Sequence, residues 1–273
     1  MKIKNYITLA VLFIFFTSCE EVIQVDLETA TPKLVIDASI QWEKGTTGSV
    51  QKIKLSTTTG YFDTEIPTVS GATITVTNSN GTVFNFIESN TPGSYICTNF
   101  IPVLNQQYTL TVAHNNQIYS ATETLNPVPE IETIEQDNEA GFTGTDIEIK
   151  AFFTDNGTTN DYYLFQFQPN QDKIPSYDVN YDRFFQGNTF FSLYSSDKLK
   201  PGDELSIKIY GISQRYYNYM NILLSVAGSN QGSPFQSPPA TVRGNIVNQI
   251  NSSDYPLGYF NLSEMDSQTY IIQ

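Results

Sequence analysis

Few side chains in this sequence could perform acid–base or nucleophilic chemistry, and their spacing limits which reactions are open. There is one histidine, His114. A multi-histidine zinc centre is therefore excluded, together with the common metal-hydrolase arrangements. A Ser-His-Asp triad would have to use His114, but no Gly-x-Ser-x-Gly elbow is present. His114-Asn115-Asn116-Gln117 reads instead as an exposed hairpin tip. A glycosidase needs only two carboxylates at a set separation, and nothing among the 28 Asp and Glu marks such a pair. The run Asp155-Asn156-Gly157-Thr158-Thr159-Asn160-Asp161 is dense in oxygen ligands of the kind calcium takes, without EF-hand spacing. A solvated turn is the simpler reading, and the sequence leaves calcium there open. No glycine-rich phosphate loop occurs. The expectation is a protein that is not an enzyme, with no catalytic residue, no cofactor and no assigned metal ligand.

The one cysteine with a marked context is Cys19. Lys2 and Lys4 form a short positive start, and Ile7 to Phe16 holds nine apolar residues in ten. That run is too short to span about 30 Å of hydrocarbon as a helix and reads as a signal-peptide core. Thr17 and Ser18 are small, and Cys19 follows at once. The arrangement resembles a bacterial lipobox, in which the cysteine thiol accepts diacylglycerol. It is relaxed, because Phe16 stands where a smaller aliphatic residue is usual. Residues 1–18 are expected to be the leader and Cys19 the lipidated first residue of the mature chain. Two or three acyl chains would hold it on a membrane, each buried CH₂ contributing about 0.8 kcal/mol. Glu20 and Glu21 resemble the acidic surface-export signal of lipoproteins in the Bacteroidota. Cys97, the other cysteine, has no partner within the mature chain and reads as a buried strand residue between Ile96 and Thr98.

Composition narrows the partners. With 14 Lys and Arg against 28 Asp and Glu, the net charge is −14 and no basic cluster exists. Phosphate-backbone binding requires such a cluster, so a nucleic-acid partner is not expected. Charged residues are only 15% of the chain, and the polar share is carried by 30 Thr and 23 Asn. Threonine favours strands and asparagine favours turns, so the fold class is expected to be all-β.

The elements that would carry these residues show period two. Ala72, Ile74 and Val76 alternate with Thr73, Thr75 and Thr77, and Asn80-Gly81 supplies a tight hairpin turn. Tyr108, Leu110 and Val112 alternate with Thr109 and Thr111. Strands are also predicted over 34–40, 51–57 and 94–97. Residues 19–33 form a tether and first strand, and 34–126 an immunoglobulin- or transthyretin-like sandwich. Asn126-Pro127-Val128-Pro129 marks a boundary, because two prolines in four residues stop ladder pairing. Residues 127–273 are expected to form a second β-rich domain, with strands at 146–154, 162–168, 189–194, 204–212, 243–250, 259–263 and 269–272. It carries one amphipathic helix over about 214–227, capped by Ser213 and ended by Gly228. The aromatic run from Asp172 to Tyr194 is the best binding candidate. With the proline-stiffened loop that follows the helix, it points to Tyr177, Tyr181 and Phe235 as partner-binding anchors.

Several words of the sequence then resemble a known family. After the helix come Gly232-Ser233-Pro234-Phe235 and Pro238-Pro239, then Gly244-Asn245-Ile246 and Leu257-Gly258-Tyr259-Phe260. At the other end stand Cys19-Glu20-Glu21-Val22-Ile23, Asp26-Leu27, Pro32-Lys33-Leu34-Val35-Ile36-Asp37 and Val69-Ser70-Gly71-Ala72. Together they resemble the Bacteroidota lipoprotein group called domain-of-unknown-function family 4249, over nearly the whole mature chain. Most of these words are also what loop geometry alone would select. The resemblance implies a surface lipoprotein, often encoded beside a TonB-dependent outer-membrane transporter, and it implies no catalytic residues. The expected function is therefore a non-enzymatic accessory component of such a transporter, held in the outer membrane by its lipid and facing the exterior. The alternative is a free-standing glycan- or peptide-binding surface lipoprotein.

Overall fold

Alternating sequence becomes strand almost wherever it occurs. The computed structural model describes residues 31–60, 63–141, 144–228 and 242–273, and Pro32–Gln273 form one compact unit. In chain order the strands are β1 (Leu34–Glu43), β2 (Gln51–Thr57), β3 (Thr73–Asn78), β4 (Val83–Glu88), β5 (Ser94–Cys97), β6 (Gln107–His114) and β7 (Gln117–Thr124). They continue with β8 (Thr133–Ala140), β9 (Asp146–Thr154), β10 (Tyr162–Pro169), β11 (Ser176–Tyr181), β12 (Thr189–Ser196) and β13 (Glu204–Ile212). After the helix α1 (Gln214–Gly228) come β14 (Val247–Asn248) and β15 (Leu257–Ile271). Among the described residues the fold is all-β with one α-helix.

Twelve strands form a single curled sheet in the order β11-β10-β13-β15-β1-β2-β5-β4-β3-β6-β7-β14. The curl is made at β4. Its first part, Val83 to Phe86, pairs with β3, while Ile87 and Glu88 pair with β5. The sheet thereby folds over its own apolar face. Ile36, Ile40 and Ile53 from one side meet Val76, Phe84, Leu110 and Val112 from the other. Ile246 and, from β15, Phe260 and Leu262 belong to the same core. Asn115 (φ 47°) and Asn116 (φ 59°) form the tip between β6 and β7, beside His114. Cys97 is buried, and its thiol donates to Asn99 Oδ1 at 3.2 Å.

β10 reads Tyr-Tyr-Leu-Phe-Gln-Phe because it is covered on both faces. Tyr163, Phe165 and Phe167 face a second, three-stranded sheet, β12-β9-β8, across a core that includes Ile149, Phe153 and Ile207. Leu164 faces the opposite way, into a core with Tyr210, Met220 and Met265 beneath α1. The helix starts where expected: Ser213 Oγ accepts the Tyr216 N–H at 3.2 Å.

β15 departs from the sequence reading. Two strands at 259–263 and 269–272 are in fact one strand of 15 residues. Its first part pairs in parallel with β1, from Leu257 opposite Val35 to Met265 opposite Glu43. Its last part pairs antiparallel with β13, from Met265 opposite Tyr210 to Ile271 opposite Glu204. The polar middle, Ser263 to Gln268, looked like a break. In the fold those side chains hold the segment that follows Asn126. Glu264 accepts the Val128 N–H at 3.0 Å and pairs with Lys44 at 3.2 Å; Asp266 accepts the Ile131 N–H at 2.8 Å.

The strand expected at 243–250 shrinks to Val247–Asn248. Two strands, β8 and β11, were not expected, and both are edges of their sheets. β8 is polar and largely exposed along its length, so little apolar pattern marks it, whereas β11 does alternate Tyr177, Val179 and Tyr181 with Asp178 and Asn180. No helix among the described residues is long and apolar enough to cross a membrane.

Candidate functional site

Among the described residues, two features concentrate polar chemistry. The first is a cleft of about 520 Å³. Its floor is the outward face of β10, β13, β15, β1 and β2, because alternate residues of adjacent strands project together. Gln166, Tyr210, Asn261, Asp37, Lys52 and Lys54 come from these strands. Its wall is α1, which presents Tyr216, Tyr219, Met220 and Leu223 at helical spacing, with Tyr177 of β11 beside them.

Five tyrosines therefore converge: Tyr177, Tyr210, Tyr216, Tyr219 and Tyr259. Tyr216 and Tyr219 pack on Tyr259 with ring centroids 4.8 and 4.7 Å apart. Such tilted contacts hold the rings in fixed orientation. Burial pushes the hydroxyls of all five above the usual phenol range. The carboxylate of Asp37 adds to this at Tyr216, Tyr219 and Tyr177. They stay neutral donors at any physiological pH.

Tyr210 donates to Gln166 Oε1 at 3.1 Å, and Tyr259 to Glu123 Oε1 at 3.2 Å. Asn261 donates to Ser263 Oγ at 2.9 Å. Its Oδ1 is buried without a hydrogen-bond partner among the described residues. Lys54 pairs in register with Asp37, and Lys52 lines the cleft two residues along β2. The cleft can stack a ring or an apolar face and hydrogen-bond hydroxyls or amides.

The second feature lies at the end of β9, β10 and β11. Asp155 follows β9, Asp161 precedes β10, and Asp182 follows β11 in a 3-10 turn, Asp182–Phe184. One carboxylate oxygen from each lies within 4.8 Å of the others. Residues 156–160 are exposed, as expected of a solvated turn, but Asp155 at its start is 3% exposed and Asp182, which meets it, is fully buried. Asp155 Oδ1 accepts the Tyr163 hydroxyl at 2.5 Å. Its Oδ2 accepts the N–H groups of Gly157 at 3.0 Å and Gly187 at 2.7 Å. Both glycines sit at φ 73°, and a Cβ on Gly157 would come within 2.7 Å of the Gly187 Cα. Only glycine permits that conformation and approach. Burial, first, and the neighbouring carboxylates push the Asp161 and Asp182 carboxyls above their usual range.

Of the residues singled out from sequence, Cys19, Glu20, Glu21 and Phe235 lie outside the described residues. Tyr177 is 38% exposed and lines the cleft. Tyr181 shares its strand face but stacks on Tyr162 at 4.7 Å, nearly parallel, and touches Tyr217. Other members of the Asp172–Tyr194 run are core: Phe185, Phe190 and Tyr194 pack against Phe153 and Phe167. Tyr210, Tyr216, Tyr219 and Tyr259 were missed as cleft residues. The signal available was the Tyr216–Tyr219 spacing on one helix face. Asp182 was invisible, because 20 residues separate it from Asp161 and only the β10–β11 hairpin joins them.

Comparison with curated proteins returned no match. Among solved structures, a two-domain fibronectin type III segment of chicken tenascin is 13% identical, with a TM-score of 0.22, covering 66% of this chain and 90% of that one. A cytokine receptor complex is 6% identical at a TM-score of 0.26, covering 68% and 86%. A DUF4785 family protein from Legionella pneumophila is 12% identical at a TM-score of 0.25, covering 65% and 52%. At these scores none bears on function. The family model for the domain of unknown function DUF4249 matches residues 20–269, and the chain belongs to that family.

Proposed function

We propose that this chain is a non-enzymatic, lipid-anchored protein of the outer-membrane surface, and that it serves as an accessory component of a TonB-dependent transporter. The observation that carries the reading is the tyrosine-lined cleft. It is a pre-built recess with oriented rings and the side-chain amides of Gln166 and Asn261. A recess of this kind binds, and its tyrosines are held neutral rather than poised to exchange protons. The lipobox-like start at Cys19, with Glu20 and Glu21 behind it, supports the anchor and its outward orientation. Tyr177, Tyr181 and Phe235 are the proposed anchors for the transporter.

A second reading is favoured by the same cleft, whose ring faces and amide groups suit a sugar or a peptide. The protein would then be a free-standing glycan- or peptide-binding surface lipoprotein. Purification from the native outer membrane through an epitope tag separates the two. A co-purifying β-barrel is the expected result. A lone chain that retains a sugar or peptide, lost on Tyr216→Ala with Tyr219→Ala, would replace the first reading by the second. Replacing Tyr177 and Phe235 by Ala should weaken barrel recovery at an unchanged thermal midpoint. Tyr181→Ala is kept apart, because that ring is also packed against Tyr162.

A further inference from the structure

Three carboxylates meet where β9, β10 and β11 end, and the local hydrogen bonds do not neutralise them. Asp155 Oδ2 accepts from Gly157 and Gly187, while its Oδ1 accepts from Tyr163 and keeps a second lone pair. Asp161 Oδ2 accepts the Thr159 hydroxyl at 2.7 Å. Asp182 Oδ2 accepts the Asp161 N–H at 2.7 Å. Asp182 Oδ1 is buried and has no hydrogen-bond partner among the described residues. Neither of the two ion pairs among those residues reaches the cluster. The guanidinium of Arg183, next in sequence, sits over the exposed ring of Phe184 at 5.8 Å. An uncompensated buried carboxylate is expensive, and here it lies within 4.8 Å of two others.

We propose that Asp155, Asp161 and Asp182 form a calcium site that ties the 155–161 loop to the 182–188 turn. The ligands are all hard oxygens, which excludes a preference for zinc or copper. Two oxygens bound to one calcium at about 2.4 Å lie no more than roughly 5 Å apart, the spacing seen across this cluster. Magnesium keeps most of its water, whereas Asp182 and Asp155 offer almost no room for it, at 0% and 3% exposure. Asp161 is the half-buried member and leaves the side through which an ion and remaining waters enter. The ion would supply the missing positive charge to Asp182 Oδ1. It would also stiffen the end of β11, the strand that contributes Tyr177 to the cleft.

The test uses the full chain in detergent, stripped with a calcium chelator. Calcium at about 1 mM, the range of extracellular calcium modules, should raise the thermal midpoint by several degrees, and magnesium should do much less. Terbium should bind with emission sensitised by tyrosine, Tyr163 being hydrogen-bonded to a ligand, and calcium should displace it. Asp182→Asn should abolish both responses. Should that variant fail to fold, Asp161→Asn, at the half-exposed position, should weaken terbium and calcium binding at least tenfold. The proposal is overturned if calcium neither shifts the wild-type midpoint nor displaces terbium. It is overturned equally if Asp161→Asn binds both ions as the wild type does.

Discussion

Asn245 and Phe260 are joined by two hydrogen bonds. Asn245 Nδ2 donates to the Phe260 carbonyl at 2.8 Å, and the Phe260 N–H donates to Asn245 Oδ1 at 2.9 Å. The side-chain amide thus pairs with β15 as a neighbouring strand's backbone would. It does so where the chain comes too close for a side chain: a Cβ on Gly244 would lie 1.7 Å from the Gly258 carbonyl oxygen. The words Gly244-Asn245-Ile246 and Leu257-Gly258-Tyr259-Phe260 are therefore two halves of one contact. Glu123 completes it, accepting from Asn245 Nδ2 at 3.1 Å and from the Tyr259 hydroxyl at 3.2 Å.

Asn245→Ala should remove this pairing and leave the Phe260 N–H and carbonyl without partners. Each buried orphan group costs about 1–3 kcal/mol, so a loss of about 3 kcal/mol in total is expected. Chemical denaturation of the purified variant measures it. A loss below about 0.5 kcal/mol would mean that water replaces the amide.

Gly211→Ala should be at least as harmful. Gly211 lies in β13, and a Cβ there would fall 1.9 Å from the Pro127 carbonyl oxygen. Backbone stands on both sides, so the contact cannot be relieved by a side-chain rotation. The expected outcome is a thermal midpoint lower by roughly 10 °C or more, on the scale of about 2–4 °C per kcal/mol for a chain of this size. Gly45→Ala, where a Cβ meets nothing within 4 Å, controls for the loss of glycine itself, although its φ of 75° adds some strain.

Glu88 predicts a pH dependence. Its carboxylate accepts the N–H groups of Gly71 and Gly93, each at 3.0 Å. These bonds, with one from the Ser70 hydroxyl as the largest cause, lower its pKa from 4.5 to about 2. A carboxyl with a depressed folded-state pKa binds fewer protons folded than unfolded. Its stabilisation is complete above pH 4.5 and is lost as pH falls through the window from 4.5 to about 2. Glu88→Gln should flatten the stability curve across that window and leave its shape above pH 6 unchanged. Thermal melts of both proteins from pH 2 to pH 7 provide the comparison.

Cys19→Ala should leave the protein folded and release it from the detergent phase on phase partitioning, because Cys19 is the proposed acyl site. Retention in that phase would refute the anchor. Glu20→Ala with Glu21→Ala should keep the lipid but hide the protein from protease added to whole cells. Equal cleavage of variant and wild type would reduce the acidic pair to a tether.

The sequence by itself determined the local structure. Leu205, Ile207 and Ile209 alternate because one face of β13 is buried, and that periodicity is written in the residues. Asn115 and Asn116 mark a tight turn because they tolerate positive φ. Ser213 marks the helix start because its hydroxyl can satisfy a free N–H. What these cues cannot carry is which distant segments meet. Polar residues in a strand look like a break until their partners are known: Glu264 and Asp266 are tied to Val128 and Ile131, more than a hundred positions away. Tyr177, Tyr210, Tyr216, Tyr219 and Tyr259 become one cleft only because β15 is inserted between β13 and β1, bringing their strands side by side under α1. Asp182 becomes the third member of a carboxylate cluster only because β11 folds back along β10, with Tyr181 opposite Tyr162. Side-chain type and period are local properties of the chain, whereas these juxtapositions come from long-range strand pairing, which no local window of sequence contains.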